Sequence, residues 1–363
     1  MSYRVGLRQA ELDTPALCID LPLMEANIAR MAAYFADRPA ALRPHTKTHK
    51  SPLLAHKQIA AGAIGVTCAK LGEAEAMALA GINDILIANQ IVGRRKIARL
   101  VNLAAYTEVL VAVDDPVNVA ELDAAAQAKG VRLRVLLEVD IGMGRCGVEP
   151  GALALALARR VAAAPGLRFE GVMGYEGHTV MIPDLQERKR QTEAAVKSLV
   201  ETKALIEAAG FPVPIVSSGG TGTYQITGNY PGVTEIQAGS YITMDAQYRD
   251  GVGIDFECAL YVLAQVISTP KPGLAIIDAG LKTMTRDFGL PVVAKPEGWH
   301  VLYLSEEHGA LQRDDGPPLK PGDRVQVWPN HGCTTINLHD HYMALRDGVV
   351  EGVWPIAGRG KLR

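Results

Sequence analysis

Nowhere in these 363 residues is there an uninterrupted apolar run of about 18, the length a membrane-spanning helix needs, so no membrane partner is expected. An excess of either charge is also missing. The 37 Lys and Arg stand against 39 Asp and Glu, a balance that leaves no electrostatic footprint for nucleic acid. The opening, MSYRVGLRQAELDTPAL, lacks the apolar stretch and cleavage site of a signal peptide. Cysteine is sparse. Cys18, Cys68, Cys146, Cys258 and Cys333 are odd in number and dispersed, unlike the clustered pairs of a secreted disulfide framework. A reduced, cytoplasmic setting is expected, with most of the five acting as small buried hydrophobes. Short-period repeats and low-complexity tracts are absent too.

What remains is an ordinary globular composition, 48% apolar and 21% charged. At roughly 150 residues per domain, the length suits about two domains, or one large barrel with an addition. The first two thirds alternate short β-branched runs with Ala-rich amphipathic stretches. Strand candidates end at Asp20, Thr46, Cys68, Ala88, Val113, Val139, Tyr175, Ser217 and Ala238. Helix candidates between them include LMEANIARMAAYF, SPLLAHKQIAA, LGEAEAMALAG and GALALALARRVAAA. The longest runs from Asp184 to Ala209 and stops at Gly210. Such alternation predicts right-handed parallel units. Nine strands fit an eight-stranded barrel from about Ala41 to Thr243, with Thr14–Asp20 outside the ring. After Asp250 the texture turns to strands, and Asp347-Gly348 reads as a hairpin turn. The expected architecture is an α/β (β/α)8 TIM-type barrel over residues 1–250. An all-β C-terminal domain over 251–363 completes it.

Four segments carry chemistry. Leu42–Lys50, LRPHTKTHK, puts three cations and two imidazoles at the end of a barrel strand, where active sites of this architecture lie. A lysine among other cations can have a depressed amine pKa, as carbonyl chemistry requires, but spacing alone does not rank Lys47 against Lys50. Ser217–Thr223 and Gln237–Tyr241 are glycine-rich turns at successive strand ends, able to turn backbone N–H groups toward a phosphate. His331 and Cys333 are two apart, so on a strand both side chains face one way, and imidazole plus thiolate suits Zn²⁺ or another borderline metal. His339 and His341 form a weaker metal candidate.

One motif misleads. Gly142–Gly147 fits the dinucleotide pattern G-x-G-x-x-G, yet Val148–Gly151 intervenes before any helix and no acidic residue follows at the distance a ribose contact needs. Arg145 reads better as a cation pointing from a strand end into a site.

These segments together resemble the D-threonine aldolases and the related D-serine and D-3-hydroxyaspartate dehydratases. Those are alanine-racemase-like, fold type III pyridoxal-phosphate (PLP) enzymes. The resemblance runs through LDTPAL (12–17), LRPHTKTHK (42–50), GRCGV (144–148) and SGGTGTY (218–224) to QAGSY and MD (237–245), DAGLK (278–282), EEHG (306–309) and PNHGC with INLHD (329–340). It implies that Lys47 holds the cofactor covalently, that Arg145 and Tyr175 lie beside its ring, and that Gly220, Thr221, Gly222, Gly239 and Ser240 cradle its phosphate. It further implies a divalent metal (Mn, Zn, Co or Mg) at His331 and Cys333, and a homodimer. The chain departs from the aldolases in having His-x-Cys, the dehydratase form, where they have His-x-Asp. It also has Gly174-Tyr175-Glu176-Gly177-His178 where they resemble AYHG, which makes His178 a candidate for the imidazole of that segment.

The activity implied is a lyase of D-amino-acid metabolism. It cleaves D-3-hydroxy amino acids of the D-threonine type to glycine and an aldehyde. The alternative is a D-serine or D-threo-3-hydroxyaspartate dehydratase that releases a 2-oxo acid and ammonia.

Overall fold

Alternating strands and helices of the first two thirds pack as parallel units in the computed structural model, which describes residues 5–363; the first four residues of the opening read above lie outside it. Strand β1 (Ala16–Asp20) and helix α1 (Leu21–Phe35) come first. There follow β2 (Ala41–Leu42), α2 (Pro52–Ala60), β3 (Val66–Cys68), α3 (Leu71–Leu79), β4 (Ile85–Gln90) and α4 (Arg94–Leu103). Next are β5 (Val109–Val113), α5 (Pro116–Lys129), β6 (Leu133–Glu138), α6 (Ala152–Ala163), β7 (Leu167–Met173) and α7 (Leu185–Ala208). This part ends with β8 (Ile215–Ser218), α8 (Tyr224–Thr227) and β9 (Glu235–Ile236). The chain divides into two compact units: Met31–Lys47, Pro52–Gly239 and Lys361–Arg363 form one, and the other described residues form the second.

In the first unit the parallel strands are ordered β2-β9-β8-β7-β6-β5-β4-β3. The ring closes beyond the two-residue β2, where the chain stays extended. Thr46 N–H donates to the Thr67 carbonyl at 2.7 Å, and Thr67 N–H donates to Pro44 at 2.9 Å. Strand β2 is short because Pro44 has no N–H to give a ladder. Leu86, Leu110, Ala112, Leu136 and Met173 form a buried apolar cluster from neighbouring strands. Helix ends follow local chemistry. Asp184 caps α7 by accepting from Glu187 N–H at 2.7 Å, and Gly210, at φ +90°, ends it.

Near the strand N-termini lies a buried ion network. Arg43, 2% exposed, donates to Glu235 at 3.0 Å and to the Asp84 carboxylate at 3.2 Å. Arg134 holds the other oxygen of Asp84 at 2.9 Å. Gly171 is obligatory for a different reason. Its φ is +147° and a Cβ there would lie 2.0 Å from the Ile215 carbonyl oxygen, inside the β7–β8 pairing.

The second unit is mostly β. Its strands are β10 (Leu260–Lys271), β11 (Leu274–Ile277), β12 (Val292–Lys295), β13 (Trp299–Leu304), β14 (Gly309–Arg313), β15 (Arg324–Trp328), β16 (His341–Arg346) and β17 (Val349–Pro355). They run β13-β14-β11-β10-β1-β16-β17, with β15 pairing both β10 and β12. The early strand β1 is therefore a central member here, antiparallel to β10 and parallel to β16. Leu12, Ala16, Cys18, Tyr261, Leu263, Met343, Leu345 and Val350 bury its core. The turn between β16 and β17 is Asp347-Gly348, with φ of 50° and 75°. Among the described residues, no helix is long and apolar enough to cross a membrane.

Candidate active site

The segment after β2 passes from one unit to the other between Lys47 and Thr48. On the first side, the Lys47 ammonium lies 5.6 Å from the centre of the Tyr175 ring. The Arg145 guanidinium approaches the same ring at 5.7 Å. A Cβ on Gly220 would meet that ring at 3.3 Å. Three of the expected cofactor residues thus converge on a fourth, Tyr175, which follows β7. Two cations near one aromatic ring are each attracted by its quadrupole. Lys50 has a different place. It belongs to the second unit, is buried, has a left-handed φ of 52°, and accepts the Gly358 N–H on its carbonyl at 2.8 Å. The fold thereby separates two lysines that spacing left equivalent.

Two carboxylates shape the Arg145 loop. Asp140 accepts from the N–H groups of Gly142 and Gly144 at 3.0 and 3.1 Å, and Asp114 accepts from Gly147 N–H at 2.9 Å. The loop ends before α6 and opens no helix, so the dinucleotide pattern is a coincidence of turns. Beneath it Glu138 is buried and accepts from Gln90 at 2.5 Å. Burial pushes its carboxyl up, against the Gln90 hydrogen bond and the Arg145 charge. His178 is exposed, with its ring packed on Gly142 and lining an open cleft of about 420 Å³ with Asp140 and Arg190.

The first glycine turn, after β8, is built around a residue to which spacing gave no role. Glu176 is fully buried and accepts from Ser218 Oγ at 2.8 Å, Gly219 N–H at 3.1 Å, Thr223 Oγ1 at 2.7 Å and Thr227 Oγ1 at 2.5 Å. Gly220 N–H donates to Thr223 Oγ1 at 3.1 Å. A Cβ on Gly222 would lie 2.1 Å from the Val180 carbonyl oxygen, so only glycine fits. The second turn, ending at Gly239 and Ser240, lies at the next passage of the chain between units.

The second unit holds the two residues expected to bind a metal, and here one expectation is corrected. His331 and Cys333 do not share a strand. Strand β15 ends at Trp328, Pro329 cannot extend its ladder, and His331 caps a short helix, α9 (Gly332–Ile336). The buried Asp245 carboxylate fixes that turn by accepting from Gly332 N–H at 3.1 Å and Tyr248 N–H at 3.0 Å. The two ligand candidates still meet, through a hydrogen bond between them. Asp287 holds His331 Nδ1 at 2.5 Å, a carboxylate–imidazole arrangement of the kind that orients metal ligands. Burial opposes charge on His331, but Cys333 and Asp287 push it up to about 9. Cys333 Sγ donates to Thr48 Oγ1 at 3.3 Å. Among the described residues no group of three His, Cys, Asp or Glu side chains stands ready to hold a metal alone. His339 turns aside, its Nε2 donating to the Thr283 carbonyl at 2.7 Å.

The residues fit the two groups implied by the sequence. A primary amine over an aromatic ring, beside a glycine turn with no room for a Cβ at Gly222, suits an aldehyde cofactor with a phosphate. An imidazole oriented by a carboxylate next to a thiol suits a borderline divalent cation with open positions.

Comparison with known proteins agrees. Residues 19–247 match the alanine racemase N-terminal domain family, and residues 259–345 match the putative serine dehydratase domain. The chain is 40% identical to the 3-hydroxy-D-aspartate aldolase of Paracoccus denitrificans, over 98% of this chain and 94% of that one. It superposes on the crystal structure of D-threonine aldolase from Filomicrobium marinum with a TM-score of 0.96 at 39% identity, covering 99% of this chain and all of that one. D-threo-3-hydroxyaspartate dehydratase from Delftia sp. HT23 follows at a TM-score of 0.88 and 32% identity, covering 96% and 98%. The (β/α)8 barrel with its β-rich C-terminal unit, the amine-bearing strand end and these likenesses converge on one assignment: the chain belongs to the alanine-racemase-like, fold type III PLP family that includes the D-threonine aldolases and D-serine dehydratases.

Proposed function

We propose that this chain is a PLP- and divalent-metal-dependent lyase that cleaves D-3-hydroxy amino acids of the D-threonine type to glycine and an aldehyde. The observation that carries the reading is the convergence of Lys47 and Arg145 on the Tyr175 ring beside Gly220. Identities of 39–40% to aldolases over nearly the whole chain support it.

Lys47 would hold the cofactor through its amine, with Arg145 and Tyr175 flanking the ring. The turns at Gly220, Thr221 and Gly222, and at Gly239 and Ser240, would take its phosphate. When bound, PLP supplies an electron sink for the bonds at Cα. The surrounding side chains would hold and orient the substrate so that the Cα–Cβ bond is the one cleaved. A cation at His331 and Cys333 would lower the pKa of the β-hydroxyl as a Lewis acid. Asp287 would keep the imidazole oriented for that task, and the Lys47 amine would be placed to move a proton beside the Tyr175 ring. The reading extends to a cytoplasmic homodimer, which light scattering and cell fractionation test.

The His-x-Cys pair favours a second reading, dehydration of D-serine or D-threo-3-hydroxyaspartate. Purified protein given D-threonine, D-serine and D-threo-3-hydroxyaspartate separates the two. Glycine with an aldehyde supports the aldolase, whereas ammonia with a 2-oxo acid and no glycine overturns it. Peptide mapping after borohydride reduction must find the cofactor on Lys47.

A further inference from the structure

We propose that Glu176 is the positioning residue of the phosphate turn, setting affinity for the cofactor's phosphate without touching it. This rests on the PLP reading above and assigns a determinant within that site. Glu176 has no exposed surface, so it meets no ligand. Its two oxygens take four donors, and three of these come from the turn and its entry, at Ser218, Gly219 and Thr223. The fourth, Thr227, ends the short helix α8 that follows. One buried side chain therefore ties both ends of the glycine turn to the segment that follows β7.

This arrangement has a consequence for how an anion is recognised. The hydroxyl protons of Ser218, Thr223 and Thr227 all point at Glu176, and Gly219 N–H does the same. Gly220 N–H is spent on Thr223 Oγ1. These groups form the frame of the cradle, and the frame is rigid because every donor is satisfied inside it. Removing the carboxylate leaves four buried donors without their acceptor, and the turn must rearrange to satisfy them. Glutamine is a milder change. Its carbonyl can keep Ser218 and Gly219, while its amide donates to the Thr223 and Thr227 hydroxyls, which rotate to accept.

The test titrates apoenzyme with PLP and, separately, with pyridoxal, which lacks the phosphate. Wild type must bind PLP more tightly; equal affinity would defeat the cofactor reading itself. Glu176→Ala is expected to weaken PLP binding about ten- to hundredfold, the scale of a lost charged hydrogen bond, and to leave pyridoxal affinity within about twofold. Glu176→Gln should restore PLP binding to within about threefold of wild type. A loss shared equally by both ligands, or no loss, overturns the positioning role. Should Glu176→Ala fail to fold, Thr227→Val serves, since it removes one donor and should weaken PLP alone, by about threefold. Equal effects on PLP and pyridoxal in that variant overturn the proposal as well.

Discussion

The sulfur of Cys333 lies 3.3 Å from the hydroxyl of Thr48, the residue peptide-bonded to Lys47. The proposed metal ligand is thus fastened to the residue that follows the proposed cofactor lysine. His331, its companion, is braced in turn by Asp287 at 2.5 Å. Asp287→Ala should lower affinity for Mn²⁺ or Zn²⁺ by about 10- to 100-fold, as loss of an orienting carboxylate does elsewhere. Calorimetric titration of the metal checks this, and cofactor absorbance should be unchanged.

Thiol reactivity should divide the cysteines. Burial pushes Cys18 and Cys258 up to about 12, and Cys68 is fully buried. Iodoacetamide at pH 8 is expected to label only the half-buried Cys146 and Cys333 in the native protein. A bound divalent ion should slow labelling of Cys333 alone, read by peptide mass spectrometry.

Two glycine substitutions should have separable effects. Gly171→Ala and Gly222→Ala each drive a methyl against a carbonyl oxygen, at 2.0 and 2.1 Å. Each is expected to cost about 1–3 kcal/mol or more of stability through overpacking. Only Gly222→Ala should also weaken PLP binding, because only it sits in the turn. Urea denaturation and cofactor titration together measure both.

The Arg43–Glu235 pair should be worth far more intact than halved. Arg43→Ala leaves the 2%-exposed Glu235 without its partner and should destabilise by about 3–5 kcal/mol. Replacing both, as Arg43→Met with Glu235→Leu, should cost less than the single change, seen as a smaller drop in denaturation midpoint.

Glu138 gives a pH signature. Burial raises its folded-state pKa, so the folded protein holds a proton that the unfolded chain has released. Its contribution to stability therefore falls as pH rises from the ordinary glutamate value through the raised one. Glu138→Gln, which can still accept from Gln90, should gain on wild type over that window. Melting temperatures at pH 4 and pH 7 test the sign: the difference, variant minus wild type, must be larger at pH 7.

Much of this was legible in residue order. Strand ends at Asp20, Cys68 and Val113 and the α7 boundaries follow from apolar runs, a capping Asp184 and the stop at Gly210. Lys47 could not be ranked over Lys50, because the difference is which unit each enters. The spacing of His331 and Cys333 suggests a strand because the cause of the helical turn, Asp245, lies 87 positions from Gly332. Glu176 and Asp287 escaped for the same reason. Their partners are 42 to 51 and 44 residues away, and a lone carboxylate carries no spacing signal.

Strand β1 bears on the order of assembly. Cys18 pairs with Tyr261 on one side and Met343 on the other, so the segment synthesised near the start waits for the last hundred residues to emerge. The parallel ring, whose strands span residues 41–236, has all its own ladders translated well before then. A nascent chain arrested after the ring should hold its β/α portion while residues 16–20 stay unpaired, and deleting them should cripple the second unit and spare the first.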